Sequence, residues 1–121
     1  MEYTINTDGQ LLRAKVRTRI TDTLPQPPSP ACKEIIKESN RLGLHRVLVE
    51  LTQHEPLSSV GQFRMVEALP SLGMTYKHRI ALVHLVPGLF EASELIGIVA
   101  ENRGLNLRNF KDVDTALAWL S

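Results

Sequence analysis

The sequence predicts an α/β domain with a five-stranded mixed sheet and four principal helices, and three features of the chain predict it. Arg79 to Leu85 is a nearly unbroken apolar run, as expected of a central strand covered on both faces. Val113, Ala116, Leu117 and Leu120 recur at helical spacing, which gives the last segment one apolar stripe that must pack on something. Asp8-Gly9 separates two segments of alternating character, the pattern of an N-terminal hairpin.

In chain order, Tyr3 to Thr7 and Leu11 to Ile20 read as the two strands of that hairpin. Thr21 to Pro30 contains PQPPSP, which can neither donate to a strand ladder nor continue a helix, so it reads as a rigid crossing loop. Ser29 then caps a helix with Pro30 at its first position, Cys32, Ile35, Ile36 and Leu42 on its inner face and Gly43 as its stop. Arg46 to Leu51 is the third strand. Ser59-Val60-Gly61-Gln62 matches a capping box that opens a helix carrying Val60, Phe63, Val66 and Leu69 inward, ended by Pro70 and Gly73. A helix stopped by Asn102-Arg103-Gly104, a short strand and the closing helix complete the series. Strands alternating with helices imply βαβ units, a largely parallel sheet and right-handed crossovers.

Composition bounds the function. A chain of 121 residues fits one domain spanning 1–121, large enough to bury roughly two-thirds of its unfolded surface. Fourteen basic and thirteen acidic residues leave a net charge of +1, so the overall field calls for neither a specific nucleic acid nor an anionic membrane. Cys32 stands alone, which leaves no internal disulfide or multi-cysteine metal cluster and fits a reducing, cytoplasmic setting. The polar start MEYTINTDGQ does not read as a signal peptide, and no apolar stretch reaches the roughly 20 residues of a membrane-spanning helix.

RIALV, the ending VAENRGLNLRNFKDVDTALAWL, and the strand RVLVEL followed by LSSVGQF together resemble the SpoIIAA-like proteins, the STAS-type family akin to anti-sigma-factor antagonists. The resemblance covers about residues 40–121 and, loosely, the hairpin. It implies an α/β STAS-type fold without cofactor, acting through a protein partner, with a homodimer left open. In the regulatory branch of that superfamily, a serine at the strand-to-helix corner, within a D-S-S-G-like signature, is phosphorylated by a partner kinase. Ser58 and Ser59 stand near that position, with Leu57 in place of the Asp and Val60 inserted before Gly61. The layout is also similar to the core of lipid-binding CRAL-TRIO domains.

Read as residues alone, Ser58 and Ser59 offer an anion-receptive helix start, with helix capping as the plainer reading. Arg13, Lys15, Arg17 and Arg19 alternate with Ala14, Val16 and Thr18, which puts four cations on one strand face. Burying them all would cost several kcal/mol each, so part of that face meets solvent or a partner. Cys32 near a helix start is either a tuned thiol or a packing residue. His45 and His84 are the histidines that a carboxylate such as Glu50 would have to engage for proton-transfer work. His54-Glu55 begins like a zinc-protease motif, but Pro56-Leu57-Ser58 follows and no second His comes four residues on. Pro25 and Pro28 make a PxxP pattern, read first as loop stiffness. No phosphate loop, nucleophile elbow or paired-acid motif is present, so an enzyme is not expected, and the family resemblance implies a non-enzymatic regulatory interaction domain. The alternative is a small-ligand or lipid-binding module with an apolar pocket beneath the middle helix.

Overall fold

The computed structural model describes residues 1–19 and 25–121. β1, Glu2–Asp8, and β2, Leu11–Arg17, pair antiparallel from Glu2↔Arg17 to Asp8↔Leu11. That register makes Gly9-Gln10 the turn, one position later than expected. Gly9 sits at φ +63°, a left-handed value that a tight hairpin demands and that glycine adopts without a Cβ clash. β2 stops at Arg17, before the expected Ile20, which lies outside the described residues together with the first part of the crossing loop.

α1, Pro30–Leu42, begins and ends where the sequence indicates. The Ser29 hydroxyl accepts the Cys32 N–H at 3.2 Å, and Gly43, at φ +67°, lets the Leu44 N–H reach back to the Ser39 carbonyl at 3.0 Å. Ala31, Ile35 and Ile36 are buried, whereas Leu42 lies on the outer side of the last turn and is exposed, contrary to its expected inward position. β3, Arg46–Thr52, leads to α2, Ser59–Ala68, and then to β4, Arg79–His84. The single helix expected after β4 is two, α3, Leu89–Ala92, and α4, Glu94–Asn102. Ser93, at φ −105° and ψ 12°, bends the chain out of the helical path between them, so the described chain holds five helices. β5, Leu107–Phe110, is followed by α5, Val113–Leu120, whose start is capped by Asp112 accepting the Thr115 N–H at 2.8 Å.

The strands lie in the order β1-β2-β3-β4-β5, antiparallel at the hairpin and parallel from β2 onward. Each crossover therefore steps one strand in the same direction, and crossovers of one hand place their helices on one face. Accordingly α1, α2 and α4 bury Ile36, Val66 and Val99 in a common core with Leu12, Val47, Val49, Ile80 and Leu82. α5 comes after the last crossover and packs on the opposite face, where Ala116 and Leu120 meet Leu48, Ala81, Val83 and Phe110. Full burial of a leucine such as Leu120 contributes about 1.5–3 kcal/mol. α5 rests on β3, β4 and β5, which leaves the hairpin's half of that face without a helix. Among the described residues no helix is long and apolar enough to cross a membrane.

Candidate functional site at the start of α2

The corner between β3 and α2 is built by a serine, a glycine and a glutamine. Ser58, not Ser59, is the cap: its hydroxyl accepts the Gly61 N–H at 3.0 Å, and its carbonyl accepts the Gln62 N–H at 2.9 Å. Ser59 becomes the first helical residue, exposed and with no hydrogen bond to its hydroxyl among the described residues. A Cβ on Gly61 would stand 3.2 Å from the Ser58 Oγ, tighter than ordinary contact, so glycine leaves room for the capping hydroxyl, while Pro27 of the proline-rich loop would lie at an ordinary 3.6 Å.

The expected capping box is corrected by Gln62. Its side chain does not return to the cap; the amide donates to the Leu57 carbonyl at 3.0 Å and to the Ala92 carbonyl at 2.8 Å, and accepts the Ile96 N–H at 3.3 Å. One buried amide thus ties the corner to α3 and α4. With Gln62, Val66 and Leu69 forming the inward stripe, Val60 and Phe63 must face outward, at 59% and 44% exposure, where the sequence placed them inward. The Arg103 guanidinium lies 5.6 Å over the Phe63 ring and pairs with Glu67. The outcome is a surface of Ser59, Val60 and Phe63 edged by an ion pair.

The other singled-out residues fall elsewhere. Arg13 is half-buried and pairs with Glu50 at 3.3 Å and with Asp8 at 3.8 Å. Lys15 and Arg17 are exposed on the hairpin half that α5 leaves uncovered. Arg19 lies past the strand end and pairs with Glu2 at 3.1 Å, so the four cations do not form one uniform patch. Glu50, held by Arg13, meets neither His45 nor His84. His45 packs against His78, and His84 points to the other face of the sheet, where its Nε2 meets the Asn109 Oδ1 at 2.8 Å. Because Asn109 donates its amide to the Ser93 carbonyl at 2.9 Å, its oxygen must accept, and the His84 proton sits on Nε2. Burial holds His84 below the usual histidine range, a shift that the Asn109 bond opposes. Among the described residues no three His, Cys, Asp or Glu side chains gather in a way that would hold a metal ion.

Beneath α1 and α2 lies an apolar cavity of about 120 Å³, walled by Ile36, Val49, Met65 and Leu82, with Cys32 and His84 among the residues that touch it. Burial pushes the Cys32 thiol up to about 11, against a smaller opposing effect of Lys33. The thiol is therefore a protonated packing group there and no nucleophile.

Sequence reasoning missed Gln62, His78 and the outward turn of Val60 and Phe63. A polar residue at i with Val66 and Leu69 at i+4 and i+7 was the available signal for Gln62. No protein-family model matches the chain, and no curated protein matches it.

Proposed function

We propose that this protein is a non-enzymatic regulatory interaction domain of the cytoplasm, of the SpoIIAA-like, STAS type that its sequence resembles. The observation that carries the reading is the outward placement of Val60 and Phe63 directly beside the Ser59 hydroxyl, which is unbonded among the described residues. Large apolar side chains exposed beside a modifiable hydroxyl suit a partner surface that a phosphate would switch. A phosphate on Ser59 would lie at the start of α2, where the helix dipole favours negative charge, and would place about two negative charges against the apolar contact. The test is capture of a partner from the native host by the parent chain, Ser59→Glu and Phe63→Ser at matched folded fractions, with the captured protein identified by mass. A partner lost with Phe63→Ser and changed in recovery by Ser59→Glu supports the reading. Unchanged recovery by both variants, with no phosphate on the native protein, overturns it.

The cavity favours a second reading, binding of a small apolar molecule. Its 120 Å³ lies well below the roughly 300–1,000 Å³ of pockets for drug-sized ligands and near the size that holds one benzene ring. A single ring or a short aliphatic chain fits; a phospholipid tail does not. Thermal stabilisation by benzene, abolished by Val49→Phe, would support this reading, and equal stabilisation of both proteins would exclude it.

A further inference from the structure

We propose that the free edge of β5 is a second docking site, which takes an extended protein segment whose alternate residues read basic, apolar, basic. β5 pairs with β4 alone. In the parallel ladder the Ile80 N–H donates to the Asn106 carbonyl at 2.9 Å. The alternation of such a ladder turns the N–H and C=O of Leu107 and Asn109 away from β4, and no described group bonds to them. An extended chain laid along this edge would find those groups unpaired, which is the basis of recognition by strand addition.

The edge is also the floor of a walled groove of about 700 Å³, bounded on one side by α4 and on the other by Trp119 of α5. Glu94, Ile98 and Glu101 occupy i, i+4 and i+7 of α4 and line the same groove. Ile98 is 48% exposed, and neither flanking carboxylate has an ion-pair partner among the described residues, whereas Glu91 at the groove's end is paired with Lys111 at 3.1 Å. The two unpaired carboxylates are thus separated by about 10.5 Å along the helix axis. In an extended segment, residues four apart on one face are about 13 Å apart, a mismatch that lysine side chains absorb. Two basic residues at that spacing would meet Glu94 and Glu101 while the residue midway between them covers Ile98. The intervening residues would turn toward Trp119.

Gly97 points the same way. A Cβ there would meet only the Asn109 Nδ2, at an ordinary 3.5 Å. Close packing therefore does not require a glycine in mid-helix, and its effect is to keep the groove open beside Ile98. The proposal rests on the interaction-domain reading but uses a different surface from the α2 corner.

Trp119 is the chain's one tryptophan, so its fluorescence reports binding directly. The probe is the capped peptide Gly-Lys-Thr-Val-Thr-Lys-Gly, with one control carrying Glu for both Lys and another N-methylated at the peptide groups that would face β5. Expected is a saturable fluorescence change with the lysine peptide, at least tenfold weaker binding of both controls, and a preference reversed in favour of the Glu peptide by Glu94→Lys/Glu101→Lys. Absence of saturable binding, equal binding of the Lys and Glu peptides, or undiminished binding of the N-methylated one would overturn the site. The partner capture described above, repeated with Glu94→Lys/Glu101→Lys, separates the two ideas. Capture lost only by the α2 variants leaves the function standing while a negative peptide result removes the groove.

Discussion

The rings of His45 and His78 meet edge to face, with 4.8 Å between centroids, where β3 and β4 begin. His78 is fully buried, and its Nδ1 accepts the Thr75 N–H at 3.0 Å. The ring proton must then sit on Nε2, which has no hydrogen-bond partner among the described residues. A buried donor left unpaired costs about 1–3 kcal/mol, and charging the ring would cost more. Burial, and next the nearby His45, accordingly hold His78 below the usual histidine range, against the Thr75 bond.

This arrangement sets a pH dependence. Because the folded-state pKa is lowered, the unfolded chain binds more protons than the folded one once pH falls below about 6.5. Stability is thus fully present above that value and declines as pH drops toward the folded-state pKa. Thermal unfolding followed from pH 7.5 to pH 5 should show a falling Tm, and His78→Phe should flatten that fall, the remainder belonging to His84, which is shifted in the same direction. An unchanged slope in His78→Phe would mean that His78 does not hold its neutral form in the fold.

The basic strand should divide sharply. Lys15→Gln and Arg17→Gln change exposed side chains that make no ion pair among the described residues and should alter stability by less than about 0.5 kcal/mol. Arg13→Gln leaves the Glu50 carboxylate, with a side chain only 11% exposed, without its cation. The expected cost is about 1–2 kcal/mol, between that of a surface pair and that of a broken buried pair. Urea unfolding measures all three. Equal effects would show that Glu50 does not depend on Arg13.

Gly97→Ala should stabilise the protein by about 0.5–1 kcal/mol, since alanine restricts the unfolded chain and its Cβ finds ordinary contact beside Asn109. Loss of stability on urea unfolding would show instead that α4 needs closer approach to β5 than the 3.5 Å contact implies.

Where the chain carries independent signals that agree, its fold is legible in the sequence. Ser29, Pro30 and Gly43 bracket α1 by capping, ring geometry and left-handed freedom, and the apolar run from Arg79 predicts β4 because both of its faces are covered. α2 carries two competing stripes. One runs through Val60, Phe63 and Val66, and the other through Gln62, Val66 and Leu69. The more apolar stripe loses because the buried Gln62 finds three backbone partners, one at nearby Leu57 and two, at Ala92 and Ile96, on segments distant in sequence, and local periodicity contains no trace of the distant two. The same holds for His78, whose burial depends on a turn brought against His45 by the pairing of β3 and β4, and for the β5 edge, whose openness follows from where α5 comes to rest.

The α2 corner supplies the last prediction, because three neighbouring residues should respond differently. Ser58→Ala removes the cap on the Gly61 N–H and should cost about 1 kcal/mol. Ser59→Ala removes an exposed hydroxyl without a partner among the described residues and should stay within about 0.5 kcal/mol. Gln62→Leu is close in size and more apolar, yet it strips hydrogen bonds from the Leu57 and Ala92 carbonyls and the Ile96 N–H. The Ile96 N–H keeps the Ser93 carbonyl at 3.1 Å, but leaving the Leu57 and Ala92 carbonyls without the amide should still cost about 2–3 kcal/mol in spite of the apolar gain. Denaturant unfolding of the three variants should therefore rank Gln62→Leu as most damaging, then Ser58→Ala, then Ser59→Ala. The reverse order for the serines would restore Ser59 as the cap, and a neutral Gln62→Leu would show that α2 is held to α4 by apolar packing alone.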